Sequence, residues 1–320
     1  MHPQTVVEIQ RHLTQHGLEP QRALGQNFLI DGNLMRLIVD SAELDPARDV
    51  VLEIGPGTGS LTSLLAERAA RLVTVETDKK LTPILAEVLA PFSNVTLLVR
   101  DALSSKHEIA PEVLDALRRD LAAVSAALAS ATSAAIPTAD ASTISFAVPP
   151  ARLKLVANLP YHAATPILMN LLLGQPRPDL MVFTVQKEVA DRLAARVDDG
   201  AYGPISVLVR ALAEVETLRD FSPTVFWPRP NVHSTLVRIR PDAARYARLG
   251  DLDLFHRVAA GLFAHRRKTC LKSLEHAPGL ESFRGRWPAL LAAAAIPPDT
   301  RGEHLDLDRI IALAHAAAKM

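Results

Sequence analysis

The stretch Val51-Leu52-Glu53-Ile54-Gly55-Pro56-Gly57-Thr58-Gly59 decides the fold. A short apolar run meets an acidic residue, three glycines alternate through a turn, and Leu61, Leu64 and Leu65 then open a helical pattern. Strand, glycine turn and helix in that order make the first unit of an α/β sheet. Glycine accepts positive φ and carries no Cβ to hold a ligand off the backbone, while the first N–H groups of the helix point into the same space. A ligand with polar groups is expected at this turn.

Spacing narrows the choice of ligand. A dinucleotide fingerprint reads G-x-G-x-x-G, whereas this turn reads G-x-G-x-G, with Glu53 two residues ahead of it and Pro56 inside it. The pattern is one residue short, which disfavours an oxidoreductase and resembles the S-adenosylmethionine (AdoMet) turn of methyltransferases. Downstream, Arg71-Leu72-Val73-Thr74-Val75-Glu76 reads as a second strand ending in a carboxylate that can accept hydrogen bonds from both hydroxyls of a ribose. Val95 to Val99 reads as a third, leading to Asp101, which is either an acceptor for an adenine amino group or a helix cap.

Composition bounds the partners. The 35 Lys and Arg residues balance 35 Asp and Glu residues, so a nucleic-acid surface has to be local. A single cysteine, Cys270, rules out an internal disulfide framework and suits a reducing cytoplasm. The N-terminal residues through Gln21 lack the apolar core of a signal peptide, and the uncharged run Leu121 to Ala139 is too weakly apolar for a membrane span. A cytoplasmic protein that does not enter the membrane is expected.

Along the chain, Val6 to His16 fits an amphipathic helix, and Asp31 and Asp78 are placed to cap the helices that follow them. By side-chain chemistry alone Gln26 and Asn27 read as surface residues. Pro111 to Ala129 fits one helix, but the Ala, Ser, Thr and Pro tract from Ser130 to Pro150 reads as part of a surface insertion, partly mobile. Beyond Pro241 the pattern is helical. Between Phe221 and Glu275 ten Lys and Arg face four Asp and Glu, most densely at Arg266, Arg267 and Lys268, a cluster that suits phosphates or a solvated helix end equally.

The most specific chemical signal is Asn158-Leu159-Pro160-Tyr161, directly after the apolar strand Leu153 to Ala157. The exocyclic amine of adenine is a poor nucleophile because its lone pair is delocalised into the ring. An Asn side-chain carbonyl and the backbone carbonyl of the neighbouring Pro can each accept one N6–H, which favours a pyramidal nitrogen facing a methyl donor. Tyr161 offers a ring on which an extruded base can stack. Thr165 and Pro166 suit the cap and first position of the next helix, and Phe183, near the end of the strand Leu180 to Val185, either closes an adenine pocket or belongs to the core.

Several separated stretches agree on one family. Leu24-Gly25-Gln26-Asn27-Phe28-Leu29, Glu53 to Gly57, Asn158 to Tyr161, Gln186-Lys187-Glu188, Ala201-Tyr202-Gly203, Pro228 to Val237 and Arg266-Arg267-Lys268-Thr269 together resemble the small-subunit ribosomal RNA adenine dimethyltransferases, the kasugamycin-resistance methyltransferases. The resemblance implies an α/β fold: a Rossmann-like, seven-stranded AdoMet-dependent methyltransferase sheet over residues 1–240, with an Ala-rich insertion at about 103–150, and a small all-α C-terminal domain over 241–320. It implies dimethylation of N6 of two adjacent adenosines in the 3′-terminal hairpin loop of 16S rRNA, within the immature small subunit, by a monomer that needs AdoMet and no metal.

Carried over residue by residue, Asn27, Leu29, Gly55, Gly57, Glu76, Asp101, Ala102 and Asn158 would contact AdoMet, which moves Asn27 from a bare surface to the ligand. Asn158, Pro160, Tyr161 and Phe183 would hold the base, and Arg266, Arg267 and Lys268 the RNA. Two departures stand out: the long connection between Asp101 and Asn158, and Cys270 and Leu271 in place of the family's more usual aliphatic and basic pair. A DNA adenine methyltransferase shares the amine chemistry, but Leu159 stands where those enzymes usually have Pro. The erythromycin-resistance type of 23S rRNA methyltransferase is nearer, and an assembly checkpoint that binds immature subunits is the non-catalytic alternative.

Overall fold

The computed structural model describes residues 3–21, 25–134 and 150–320. Leu24 of the polar loop and residues 135–149 of the Ala-rich tract lie outside the described residues. The chain divides into two compact units, Met1–Lys187 with Leu218–Arg238, and Glu188–Thr217 with Ile239–Met320.

The first unit begins with α1 (Val6–Gln15), closed at its start by a reciprocal pair of bonds between Thr5 and Glu8. β1 (Phe28–Leu29) and α2 (Gly32–Ser41) follow, and the Asp31 carboxylate caps α2 by accepting the N–H groups of Asn33 and Leu34 at 2.9 and 3.0 Å. The glycine turn lies between β2 (Asp49–Ile54) and α3 (Ser60–Ala66), and the chain continues through β3 (Arg71–Glu76), α4 (Thr82–Leu89) and β4 (Val95–Val99). A hairpin of β5 (Leu103–Ser105) and β6 (Glu108–Ile109) leads to α5 (Pro111–Ala134), β7 (Arg152–Asn158), α6 (Ala164–Leu173) and β8 (Leu180–Gln186). Then come α7 (Lys187–Ala194), α8 (Pro204–Leu212), β9 (Ala213–Phe221), β10 (Phe226–Trp227) and β11 (Ser234–Pro241).

Seven strands form one sheet in the order β4-β3-β2-β7-β8-β11-β9, with β4, β3, β2, β7 and β8 mutually parallel. Near-continuous apolar runs such as Leu153, Leu155, Val156 and Ala157 suit strands buried on both faces. Chain order moves outward from β2 to β4 and then returns to the other side of β2 with β7. That reversal puts a switch point between β2 and β7, and a crevice opens there outside the carboxyl ends of the strands. The glycine turn and Asn158 occupy those two ends.

Residues 103–134 are regular, and the helix expected from Pro111 is present. A parallel crossover from β4 to β7 needs a helix to return along the sheet, and α5 supplies it, packing on β2, β3 and β7 with Val113, Ala116, Leu117 and Val124 buried. The helix extends to Ala134, five residues past its expected end. Two apolar clusters build the core of this unit: Ile38, Leu65, Leu72, Val156 and Val182 in one, and Ile9, Leu13, Ile84 and Leu85 with Phe28 in the other.

One charged group is sealed at the amino ends of β2 and β7. The fully buried Asp49 carboxylate receives Arg152 Nε and Nη2 at 2.7 and 3.0 Å and Lys154 Nζ at 2.7 Å. Lys154 Nζ also donates to the Ala42 carbonyl at 2.9 Å and the Glu43 carbonyl at 2.5 Å. Burial lowers the Lys154 pKa, and the Asp49 carboxylate opposes the shift.

The second unit contains α9 (Ala243–Leu249), α10 (Leu252–Phe263), α11 (Cys270–Leu274), α12 (Trp287–Ala293) and α13 (Leu307–Ala318). It also takes in residues 188–217, which corrects the expected split at residue 240. The cause is local packing: α8 buries Val207, Leu208 and Leu212 and packs on α9, α10 and α13, the Tyr202 ring meets Phe263 edge-on, and the Tyr202 hydroxyl donates to the Leu305 carbonyl at 3.1 Å. Burial pushes the Cys270 thiol up to about 12, which makes it a packing group rather than a reactive one. Among the described residues no helix is long and apolar enough to cross a membrane.

Candidate active site

The glycine turn has the conformation its composition anticipates. Gly55, Gly57 and Gly59 have φ of 76°, 60° and 85°, in the left-handed region that side chains disfavour. Space matters as well at Gly57, where a Cβ would stand 2.9 Å from Phe28 Cδ1. Phe28 is itself fixed, because β1 pairs antiparallel with β10 and its ring stacks on Trp227 with centroids 6.3 Å apart.

Glu76, at the carboxyl end of β3, is buried beside the turn. Its Oε2 accepts the Gly57 N–H at 3.2 Å and its Oε1 the Asp78 N–H at 2.8 Å. Burial raises its pKa, and these two backbone donors work against the rise. A carboxylate offers about four acceptor positions, so although the Thr77 backbone N–H also acts on this one, capacity is left for a hydroxyl donor. Glu53 is more deeply enclosed: Thr74 donates to its Oε2 at 3.0 Å, and burial pushes its carboxyl up to about 7 against the Thr62 and Thr74 hydroxyls, with Glu76 adding to the rise.

One cavity gathers these groups. Its walls include Asn27, Leu29, Gly55, Gly57, Glu76, Asp101, Ala102, Asn158, Pro160 and Tyr161, with Glu53 at its floor. Asp101 Oδ1 accepts the Leu103 N–H at 2.9 Å, and Asn158 Nδ2 donates to the Asn27 carbonyl at 3.2 Å. The Tyr161 hydroxyl shares a 2.6 Å hydrogen bond with buried Ser234, which pins the ring, and burial raises the phenol's pKa. Carboxylates at the ends of adjacent strands, a cleft of glycine backbone and apolar walls from Leu29, Ile54 and Ala102 suit a nucleoside carrying an amino-acid tail, so the residues present fit AdoMet.

Three expectations need correction. Phe183 is fully buried, in register with Ala157, and is absent from the cavity wall. Side chains alternate along a strand, and since Thr184 reaches the Asn158 amide, Phe183 faces the opposite side of the sheet. The Pro160 carbonyl accepts the N–H groups of Ala163 and Ala164, both at 3.0 Å, so its lone pairs serve the first turn of α6 and not an adenine amine. For the same reason α6 starts before Thr165, which caps nothing; the Pro160 ring contributes to the wall, close enough to Gly55 that a Cβ there would lie 3.3 Å from Pro160 Cγ.

Other supports went unnoticed in the sequence. Gln4 holds the glycine turn from outside: its Nε2 donates to the Thr58 carbonyl at 3.1 Å, its Oε1 accepts the Thr58 hydroxyl at 2.6 Å, and its N–H donates to Ser60 Oγ at 2.8 Å. Gln26 is no bare surface residue, since with Gln21 it donates to Asp78 Oδ2 at 2.8 and 3.0 Å. No local pattern marks contacts that span more than fifty residues.

In the second unit the basic cluster divides. Arg266 is engaged, with Nε 3.2 Å from the Glu303 carboxylate and Nη2 donating to the Gly200 carbonyl at 2.5 Å. Arg267 and Lys268 are exposed in the turn before α11, whose first turn Thr269 caps.

A switch-point cavity that suits AdoMet, with an Asn-centred corner for an amine beside it, defines an AdoMet-dependent methyltransferase. The family model "Ribosomal RNA adenine dimethylase" matches residues 18–284. Ribosomal RNA small subunit methyltransferase A of Pelotomaculum thermopropionicum is 38% identical over 314 residues, 98% of this chain and 95% of that protein, and its counterpart in Geobacillus kaustophilus is 36% identical over 310 residues, 96% and 94% respectively. Among solved structures, a dimethyladenosine transferase from Plasmodium falciparum has the same fold, with a TM-score of 0.64 at 19% identity over 89% of this chain and 95% of that one. The chain belongs to the ribosomal RNA adenine dimethylase family.

Proposed function

We propose that this enzyme transfers two methyl groups from AdoMet to N6 of each of two adjacent adenosines in the 3′-terminal hairpin loop of 16S rRNA, working in the cytoplasm as a monomer on the immature small subunit. The observation that carries the reading is convergence: the glycine turn, Glu76, Asp101 and the corner Asn158 to Tyr161, spread over more than a hundred residues, line one cavity.

AdoMet supplies a methyl group on a sulfonium, an electrophile reactive enough that the amine need not lose a proton before attack. The chain has to bind, aim and dry the partners. Glu76 would hold the ribose hydroxyls on its remaining acceptor positions, and the second oxygen of Asp101 would accept from the cofactor's adenine amine. At the target, Asn158 Oδ1 accepts one N6–H. With the Pro160 carbonyl committed to α6, the backbone carbonyl of Leu159, a residue that lines the cavity, would be the second acceptor. At the first transfer two acceptors draw the amine out of conjugation and aim its lone pair, at the second the one N–H left engages a single acceptor, and each time the sulfur leaves as a neutral thioether and the surplus proton goes to water. Tyr161, held by Ser234, stacks on the extruded base. Arg267 and Lys268 contact RNA phosphates.

The test is transfer of labelled methyl groups to small subunits that lack the modification, with naked rRNA and duplex DNA alongside, followed by nucleoside analysis. N6-dimethyladenosine on the subunit alone supports the reading; binding without methylation favours the assembly checkpoint. Asn158→Ala is expected to lower the rate about a hundredfold. A variant that methylates at the wild-type rate removes Asn158 from the chemistry.

A further inference from the structure

The Asn158 amide is gripped from two sides. Its Nδ2 donates to the backbone carbonyl of Asn27 at 3.2 Å, and its Oδ1 accepts the hydroxyl of Thr184 at 2.5 Å. The two partners come from elements far apart in the chain: Asn27 directly precedes β1, and Thr184 lies on β8 in register with Asn158 on β7. Thr184 is fully buried.

Only one orientation of the amide satisfies both contacts. Turned by half a revolution, Oδ1 would face the Asn27 carbonyl oxygen, two acceptors with no proton between them. The Asn27 carbonyl therefore selects the amide orientation, and the Thr184 hydroxyl fixes where the oxygen stands. An sp² oxygen accepts two hydrogen bonds, so with one position taken by Thr184 a single position is left, in one direction.

We propose that Thr184 is a positioning residue for methyl transfer, holding Asn158 Oδ1 so that its one free acceptor position meets an N–H of the target amine. The proposal rests on the reading of Asn158 as an amine acceptor and adds a residue that touches neither the cofactor nor the base. Without the hydroxyl the Asn158 side chain keeps one tether, at Nδ2, and its oxygen samples directions that do not face the amine. The loss falls on turnover more than on cofactor binding, because the glycine turn and Glu76 are untouched and Asn158 keeps its bond to the Asn27 carbonyl.

The experiment compares Thr184→Val, which keeps the shape and removes the hydroxyl, with Thr184→Ser, which keeps the hydroxyl, and Thr184→Ala as a second deletion. Methyl transfer to unmodified small subunits and AdoMet binding by calorimetry are measured for each, with Asn158→Ala alongside. The expected result is a kcat about tenfold lower for the Val and Ala variants, with AdoMet Kd within about threefold of wild type, and kcat within about twofold of wild type for Ser. Val or Ala at the wild-type kcat, with Asn158→Ala inactive, overturns the role of Thr184 and leaves that of Asn158 standing. Equal losses in Val, Ala and Ser also overturn it, since the hydroxyl is then not the cause. Asn158→Ala at the wild-type rate removes the underlying reading and the inference with it.

Discussion

Glu53 shows how one residue can work against the stability of its own fold. A carboxyl with an unfolded value of 4.5 and a folded value of about 7 keeps its proton in the native state after the unfolded chain has lost it. Unfolding therefore releases a proton between these values, and stability falls as pH rises through that window: the favourable contribution is complete below about 4.5 and gone above about 7. The difference amounts to about 3 kcal/mol at most. Glu53→Gln, which cannot ionise and still accepts from Thr74, is expected to unfold at a higher temperature than wild type at pH 8, with the gap shrinking toward pH 5. Scanning calorimetry of the ligand-free protein at both values checks this; a gap that does not depend on pH rules it out. The sequence exposed Glu53 as an acid at the end of an apolar strand, and it exposed Glu76, Asp101 and Asn158 because each ends a strand at the same edge. It could not expose Thr184, Ser234 or Gln4, whose partners are set by strand register and chain return and leave no spacing to read.

At the scale of elements, strand ends and caps were legible because their causes are local. Apolar runs bounded β2, β3, β4 and β7 to within a residue or two, and Asp31 caps α2 as its position before the apolar stripe requires. The stripe of Val113, Leu117 and Val124 marked the helix that α5 forms, but where packing between distant segments decides, local pattern failed: α6 begins on a backbone carbonyl instead of at Thr165. The pair β2 and β7 also depends on a contact with no local signature, the Asp49, Arg152 and Lys154 group. Removing one partner of a buried ionic cluster leaves the others uncompensated. Asp49→Ala is expected to destabilise the protein by about 3–5 kcal/mol, read as a lower urea midpoint, whereas an unchanged midpoint would mean that Arg152 and Lys154 escape to solvent.

For the whole molecule, a neutral chain carries its cation excess in one region, and ionic strength is the way to locate it. Each phosphate neutralised adds about 0.7–0.9 to the slope of log affinity against log salt. With Arg266 tied to Glu303 and the Gly200 carbonyl, the exposed pair Arg267 and Lys268 carries the expectation. The double variant Arg267→Ala, Lys268→Ala should reduce the slope for subunit binding by about 1.4–1.8, while AdoMet binding stays as it was; an unaltered slope would assign the RNA contact to other cations. The same scale explains why residues ahead of the first helix belong to the cofactor turn. Gln4 grips Thr58 and Ser60, and Pro3 lies so close to Gly32 that a Cβ there would stand 3.1 Å from Pro3 Cγ. The glycine turn is therefore braced by a residue that precedes the whole sheet, and Gln4→Ala, which removes both side-chain bonds to Thr58, is expected to loosen the turn without altering any residue of the turn itself.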